Sequence, residues 1–302
     1  MSLNIYQKNC GVLILKGKDR IDFLNRMSTN DLTVVEPLHY KKTVLTSDKG
    51  RIIDLITILN FDDHSILITT ENYEDRIKTH LDKYIIMDDV IIEKPDVKHT
   101  LLLLWGEDAQ NVVNETAQRI PTEENFIMLS EKEFIFEDKF GFDKIIYLTE
   151  ESNAASVKAK YVDDKFVERK ELTNEEYESL RISLGIAEGE NEFNDLINPK
   201  ECGLEKYISY TKGCYIGQEV IARLDAQGKI PKQMVRVKTI QSINKGDKIF
   251  SDGKDVGFIS SVSDNLGLAF IRSAALEPSK EFQVNGEKVE LELIFNLVKN
   301  LN

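Results

Sequence analysis

The chain has 302 residues, 41% of them apolar, and a formal charge of −13. That length is long for one compact domain and comfortable for two or three. The acidic balance argues against a broad nucleic-acid face, which needs clustered Lys and Arg, and the longest apolar run, LLLLW at 101–105, is too short to span a membrane.

The opening MSLNIYQKN has neither the basic region nor the apolar stretch of a signal peptide. CGVLILKG (10–17) is an apolar run ended by glycine and reads as a strand. Asp19 can cap a following helix whose Ile21, Phe23, Leu24 and Met27 fall at helical spacing. GRIIDLITIL (50–59) and SILITT (65–70) read as paired strands across Asp62-Asp63, followed by a helix with Tyr73, Ile77, Leu81 and Tyr84 on one face. The apolar run at 101–105 is a buried strand, and Gly106-Glu107-Asp108 leads a helix carrying Ala109, Val112, Val113 and Ala117. FIMLS, EFIFE and KIIYL are short strands reaching about residue 148. The succession predicts an α+β chain.

Residues 173–185 predict a helix with a Thr173/Glu176 capping box and Gly185 as its stop. From 186 to 211 the chain is punctuated by Gly, Asn and Pro with little periodicity, as in a functional or disordered loop. From about 231 the pattern changes to six short strands: MVRVKTI, KIF, DVGFISSV, LGLAFI, FQV and EKVELELIF. Asp252-Gly253 and Asn285-Gly286 are hairpin dipeptides, so this region predicts a small antiparallel barrel or sandwich.

Asp54 needs a chemical reason. Alternation puts Ile52, Asp54, Ile56 and Ile58 on one face and Ile53, Leu55, Thr57 and Leu59 on the other, so the carboxylate sits among isoleucines whichever face is inward. It has a basic partner, an edge open to water, or a cavity whose ligand satisfies it. Arg181 lies beside the apolar stripe formed by Tyr177, Leu180 and Leu184. It reaches Asp54 or a ligand, or it snorkels along the helix flank.

KGCYIGQEVIAR (212–223) mixes residues no ordinary core segment needs. Gly213 and Gly217 permit positive φ on both sides of Cys214-Tyr215-Ile216. A helix starting behind Gly217, with Val220, Ile221 and Leu224 inward, presents free N–H groups that favour an anion or a thiolate. Lys212 adds positive charge beside Cys214, and Gln218 and Glu219 bring an amide and a carboxylate. Lys212, Tyr215, Gly217, Gln218, Glu219 and Arg223 thus make a candidate site for a heterocycle with both donors and acceptors. Cys214 is either its reactive thiol or a small buried hydrophobe.

Cys10, Cys202 and Cys214 are widely spaced and odd in number, without a CxxC pair, which argues against a disulfide framework or zinc site and for the cytoplasm. His39, His64, His80 and His99 all lie in the first hundred residues without a motif, so a cysteine hydrolase is a poor fit; no GxGxxG or P-loop is present. Between 205 and 238, seven cations (Lys206, Lys212, Arg223, Lys229, Lys232, Arg236, Lys238) stand against three acids (Glu205, Glu219, Asp225). This basic island suits a small polyanion, or is chance clustering on a solvated face.

KGCYIGQE resembles the signature of the YgfZ family, folate-binding relatives of the glycine-cleavage T-protein (aminomethyltransferase). LKGKDRIDFLNRMSTNDL (15–32), LTSDKGRIIDLITI (45–58), HLDKYIIMDDVIIE (80–93), LRISLGIAEGENEF (180–193) and IGQEVIARLDAQGKIPKQMVRVK (216–238) are similar to family segments along nearly the whole chain. The resemblance implies a three-domain ring: residues 1–97 plus 168–228 as a discontinuous folate-binding domain, 98–167 as a ferredoxin-like domain, and 229–302 as a C-terminal antiparallel β-barrel. It implies tetrahydrofolate in a central channel, Asp54 where T-proteins keep the aspartate facing the reactive end of folate, and the basic island toward the glutamate tail.

The chain departs from the T-proteins in three places. EDKFGFDKIIYL (137–148) stands where they have a GYTGEDGFE-like stretch and lacks its pterin-binding glutamate; Asp143 is the nearest acid. Ile53-Asp54 replaces two adjacent acids, and T-proteins lack the cysteine of KGCYxGQE. These differences favour the YgfZ branch, which implies folate-dependent help in iron–sulfur cluster assembly or repair. The implied partners are reduced folate and iron–sulfur client or assembly proteins, with neither nucleic acid nor membrane. Since clusters take several thiolates, Cys214 would be a transient ligand, a redox thiol or a client contact. The alternative is a folate-dependent one-carbon transferase, by aminomethyl transfer or demethylation, in which Asp54 orients or protonates the folate nitrogen. Both readings expect Asp54 and Cys214 to converge on one hollow.

Overall fold

The computed structural model describes residues 2–162, 168–228, 230–277 and 279–294. The chain divides into two units, one of Met1–Leu45, Asp54–Thr173 and Thr211–Ile216, the other of Thr46–Ile53, Asn174–Tyr210 and Gly217–Asn302. Among the described residues no helix is long and apolar enough to cross a membrane.

The elements up to residue 171 are β1 (Ser2–Lys16), α1 (Arg20–Met27), β2 (Tyr40–Thr46), β3 (Ile52–Asn60), β4 (His64–Thr69), α2 (Glu74–Asp82), β5 (Ile91–Glu93), β6 (His99–Trp105), α3 (Ala109–Ala117), β7 (Ile127–Ser130), β8 (Glu133–Asp138), β9 (Lys144–Glu150), α4 (Ala154–Val162) and β10 (Glu168–Glu171). One strand organises the first unit. The sequence predicts β1 only from Cys10 onward, because Asn4, Gln7, Lys8 and Asn9 interrupt the apolar pattern. The strand nonetheless begins at Ser2, because Leu3 and Ile5 reach a core made with Leu102, Leu104, Tyr147, Val157 and Tyr161.

The first part of β1 pairs antiparallel with β6, from Asn4↔Trp105 to Cys10↔His99, and parallel with β10. Its second part pairs with β4, from Gly11↔Thr69 to Lys16↔His64, and with β5. The resulting sheet runs β2-β3-β4-β1-β6-β9-β8-β7, with β5 and β10 also on β1. A single sheet therefore crosses the domain boundary expected after residue 97. The strands after residue 97 take a strand, β1, from the N-terminal residues. At the junction sits Gly11, where a Cβ would lie 2.3 Å from Thr69 Oγ1 and 2.7 Å from the Glu74 side chain, so a larger residue here would force one of those side chains to move.

The second unit contains α5 (Asn174–Leu184), α6 (Gly189–Glu192), α7 (Gln218–Gln227), β11 (Lys232–Lys238), β12 (Lys248–Ser251), β13 (Lys254–Ser263), β14 (Leu266–Arg272), β15 (Phe282–Val284) and β16 (Glu287–Leu293). The last six close into an antiparallel barrel, β11-β14-β13-β12-β15-β16, around Val235, Val237, Ile249, Ile259, Ala269 and Ile271. Asp252-Gly253 and Asn285-Gly286 all take positive φ, as hairpin turns of this kind require. Phe295, assigned to the last strand from sequence, lies outside the described residues.

The stretch 186–211 is more ordered than its sequence suggests. Besides α6 it holds 3-10 turns at Pro199–Cys202 and Glu205–Tyr207. The first is closed by a capping box: Lys200 N–H donates to the Asn198 side chain at 2.8 Å, and Asn198 N–H donates to Glu201 Oε2 at 2.9 Å.

Arg181 ties this unit together. It is only 2% exposed. Nε and Nη2 grip Glu178, each at 2.7 Å; Nη1 donates to the Ile186 carbonyl and to Glu192, at 3.2 and 3.3 Å; Nη2 also donates to Ser261 Oγ at 2.9 Å. All five N–H groups of the guanidinium are used. The expectation that Arg181 meets Asp54 or a ligand is therefore corrected, and so is the snorkelling alternative: it is an internal tie between α5, α6 and β13. Arg181→Met would leave the fully buried Glu192 without its counter-charge. We expect a loss of about 3–5 kcal/mol, read as a lower urea midpoint than that of the surface control Arg223→Met.

Candidate functional site

Asp54 is 0% exposed on β3. Among the described residues it has no ion pair, and its burial excludes an open edge. Instead three hydrogen bonds hold it: Thr70 N–H to Oδ2 at 2.8 Å, Thr70 Oγ1–H to Oδ1 at 2.7 Å, and Leu55 N–H to Oδ1 at 2.9 Å. Oδ1 thus accepts two bonds and Oδ2 one, leaving Oδ2 as the oxygen with acceptor capacity to spare. Burial pushes the carboxyl up from its ordinary 3.8 to about 6, against the pull of the Thr70 and Leu55 bonds and the charge of Lys8. Such a group exchanges its proton close to neutrality. Thr70 was not singled out from sequence; its position one residue past the strand paired with β3 was the available signal.

The segment Thr211–Ile216 belongs to the same unit because it closes the end of α1. The last carbonyls of a helix need donors. Ser28 Oγ–H serves Leu24 at 2.8 Å, Lys212 Nζ serves Asn25 at 2.6 Å, and Ile216 N–H serves Arg26 at 3.0 Å. Lys212 also donates to the carbonyls of Ser28, at 2.9 Å, and Asn30. Its three ammonium protons therefore meet three carbonyls, with the Tyr215 ring 5.3 Å from Nζ. Burial lowers its pKa to about 8, Asp31 opposing and Lys41 adding to the fall. Lys212 is a clamp, and the role expected for it beside a ligand or the thiol is corrected: its donors are spent on main chain.

Cys214 lies between these two anchor points and is exposed, whereas Cys10 and Cys202 are buried. Burial drives the Cys10 thiol up to about 12 and that of Cys202 well above its usual value. Among the three, Cys214 is the reagent-accessible one, not a buried hydrophobe. Tyr215 is buried. Gly213 does not use the left-handed region and borders open space, contrary to expectation.

The remaining candidates fall in the second unit. Gly217 has φ 82, and a Cβ there would lie 2.6 Å from the Ser47 carbonyl oxygen and 3.0 Å from Gly50 Cα. It caps α7, as the sequence predicts. Of the helix positions expected inward, Ile221 is buried, with Val220 and Leu224 only half-buried; Gln218 is half-buried, and Glu219 and Arg223 are exposed.

The basic island is not one surface. Arg236 and Lys238 both pair with Glu292, Lys232 donates to the Leu196 carbonyl, and Lys206 lies over the Tyr207 ring. Lys229 lies outside the described residues. In the stretch where T-proteins carry a pterin-binding glutamate, Asp138 is buried between Lys42 and Lys144, at 3.4 and 3.3 Å, and Asp143 is exposed. Burial raises the Asp138 carboxyl, but the two lysines and the Phe140 N–H outweigh it and hold it below the usual range.

Residues 7–137 match the GCVT N-terminal domain, and residues 232–295 match the CAF17, C-terminal beta-barrel domain. An aminomethyltransferase from Caldanaerobacter subterraneus subsp. tengcongensis is 23% identical over 296 residues, spanning 91% of this chain and 78% of that protein. The tRNA-modifying protein YgfZ of Hamiltonella defensa subsp. Acyrthosiphon pisum is 23% identical over 222 residues, 72% of this chain and 64% of that one. The glycine cleavage system aminomethyltransferase T from Bartonella henselae has the same fold, with a TM-score of 0.81 at 15% identity over 97% of this chain and 85% of that one. Fold and barrel together define a T-protein-like protein of the folate-utilising GCVT class. Its C-terminal domain narrows the assignment: the chain belongs to the YgfZ/CAF17 family.

The buried carboxylate gives the first unit a definite pH response. The folded-state pKa of Asp54 lies above its unfolded value, so its contribution to stability is fully present below about pH 4 and is lost as pH rises through about 6. Between pH 4 and 8 the unfolding free energy should fall by about 3 kcal/mol more for the native chain than for Asp54→Asn, as measured by urea titration at each pH.

Proposed function

We propose that this chain binds tetrahydrofolate and uses it in assisting the assembly or repair of iron–sulfur clusters on client proteins in the cytoplasm. The observation that carries this reading is the exposed Cys214, pinned at Lys212 and Ile216 in the unit that also holds Asp54. A thiol fixed in this way can meet a partner protein or a transferring cluster without first being ordered. One cysteine does not hold a cluster alone, so the thiol acts on clusters that others carry.

The residues fit tetrahydrofolate at one end. Asp54 Oδ2 is a buried acceptor with spare capacity, suited to a protonated ring nitrogen. The other end differs from the T-proteins, because the Asp138 carboxylate is already spent on Lys42 and Lys144; a pterin contact of that kind is not part of this proposal. When bound, tetrahydrofolate supplies a nitrogen that carries one-carbon units. Asp54 would hold or release a proton at Oδ2, with Thr70 fixing the carboxylate plane. Of the remaining candidates, Tyr215 stays beside the ligand, in the unit that holds Asp54; Gly217, Gln218, Glu219 and Arg223 belong to the second unit and are given no role in binding, and Arg181 has none either.

The second reading is a folate-dependent one-carbon transferase. It is favoured by the near-neutral titration of Asp54 and by the aminomethyltransferase relatives. Two substitutions separate the readings. Under the first, Cys214→Ala abolishes maintenance of an iron–sulfur enzyme in cells while tetrahydrofolate affinity stays unchanged, and Asp54→Asn weakens that affinity about tenfold, or about 1.4 kcal/mol. Under the second, Asp54→Asn abolishes turnover of an aminomethyl or methyl donor and Cys214→Ala is silent. Absence of any calorimetric binding of tetrahydrofolate at millimolar concentration would refute both.

A further inference from the structure

The second unit carries an unbalanced charge cluster apart from the residues above. Arg51 Nη1 and Lys232 Nζ both donate to the Leu196 carbonyl oxygen, at 3.1 and 2.9 Å. Two cations thus meet over one neutral acceptor. Arg272 is directly opposite Lys232 in the antiparallel β11–β14 pair, which sets both side chains on the same side of the barrel wall, and like charges so placed repel.

Among the described residues, Glu201 is the carboxylate paired with Arg51 and acting on Lys232. Glu201 is 1% exposed; its Oε2 lies 3.6 Å from Arg51 Nη1 and also accepts the Asn198 N–H. Among the described residues its buried Oε1 has no hydrogen bond of ordinary geometry, though the Lys232 main-chain N–H acts on the carboxylate. Among these four described residues, three positive charges against one negative leave an excess of two, on a chain whose overall charge is strongly negative. Burial lowers the pKa of Lys232; Glu201 opposes this, and Arg51 and Arg272 add to the fall. The cluster is open to ligands, since Arg51 keeps 39% of its side-chain surface and Arg272 is exposed. In the contacts described, Arg51 uses only Nη1, so the rest of its planar fork is available.

We propose that Arg51, Lys232 and Arg272 form a binding site for a tetrahedral dianion, either inorganic phosphate or the phosphoryl group of a small monoester. The double negative charge matches the local excess. The arginine fork and the point charge of the lysine are the groups that recognise phosphoryl oxygens. The site is independent of the proposed folate and thiol chemistry, and stands or falls separately from it.

The test is a titration of the isotope-labelled full chain at constant ionic strength, with inorganic phosphate replacing chloride. Saturable shifts confined to the Lys232 amide and the Arg51 and Arg272 Nε–H signals are expected. Arg51→Gln and Arg272→Gln should each weaken binding about tenfold, and Arg51→Lys, which keeps the charge and loses the fork, should weaken it less. A second titration with glycerol 3-phosphate decides the source: tighter binding than inorganic phosphate assigns the site to a monoester, and equal or weaker binding assigns it to the free ion. Shifts that fail to saturate, or that survive Arg272→Gln unchanged, overturn the proposal. Arg272 is exposed at the end of β14, so its variant remains informative even if Arg51→Gln does not fold.

Discussion

The closing of α1 is the interaction from which the candidate site follows. A helix that ends inside a protein leaves carbonyls that must find donors, and α1 finds one in Lys212, 187 residues away from Asn25 in sequence. An ammonium has three protons, and here three main-chain oxygens receive them. This explains why Thr211–Ile216 packs with the first unit when the residues on either side belong to the second. It also explains the placing of Cys214. A thiol between two anchored neighbours has already lost the backbone freedom that a mobile loop would surrender on meeting a partner.

Asp54 follows the opposite logic. Lys212 satisfies main chain that would otherwise be bare, whereas Asp54 is satisfied by main chain and by one threonine. Three hydrogen bonds offset part of the cost of burial without cancelling it, and the carboxyl stays poised between its charged and neutral forms. Direct pairing with Arg or Lys would have fixed it as an anion. Holding Asp54 by hydrogen bonds, with no ion pair among the described residues, is thus a chemical property, because it leaves a group that changes state near neutral pH.

Much of the fold is legible in the chain. The barrel strands, the hairpin dipeptides, the stop at Gly185 and the helix behind Gly217 follow from short-range rules, because turns and caps depend on neighbouring residues. The first half of β1 does not, since its polar residues obscure Leu3 and Ile5, whose burial depends on strands about a hundred residues away. The cap at Asn198-Pro199-Lys200-Glu201 was readable as asparagine, proline and a glutamate at the third position, but a search for longer periodicity passes over it. In the candidate site, Asp54 and Cys214 announce themselves by chemistry out of place. Arg181 and Lys212 look the same from sequence and prove to be internal fasteners, because a list of charged residues does not say which of their donors are already used.

The sharing of β1 bears on how the chain acquires its fold during synthesis. Ser2–Lys16 leaves the ribosome before every strand it pairs with, and its parallel neighbour, Glu168–Glu171, follows more than a hundred and fifty residues later. Until then the apolar residues of β1 are without their final cover, and contacts of such long sequence separation form slowly. The nascent chain therefore passes through a long interval with an open sheet edge, the state in which newly made polypeptides most need a chaperone's shelter.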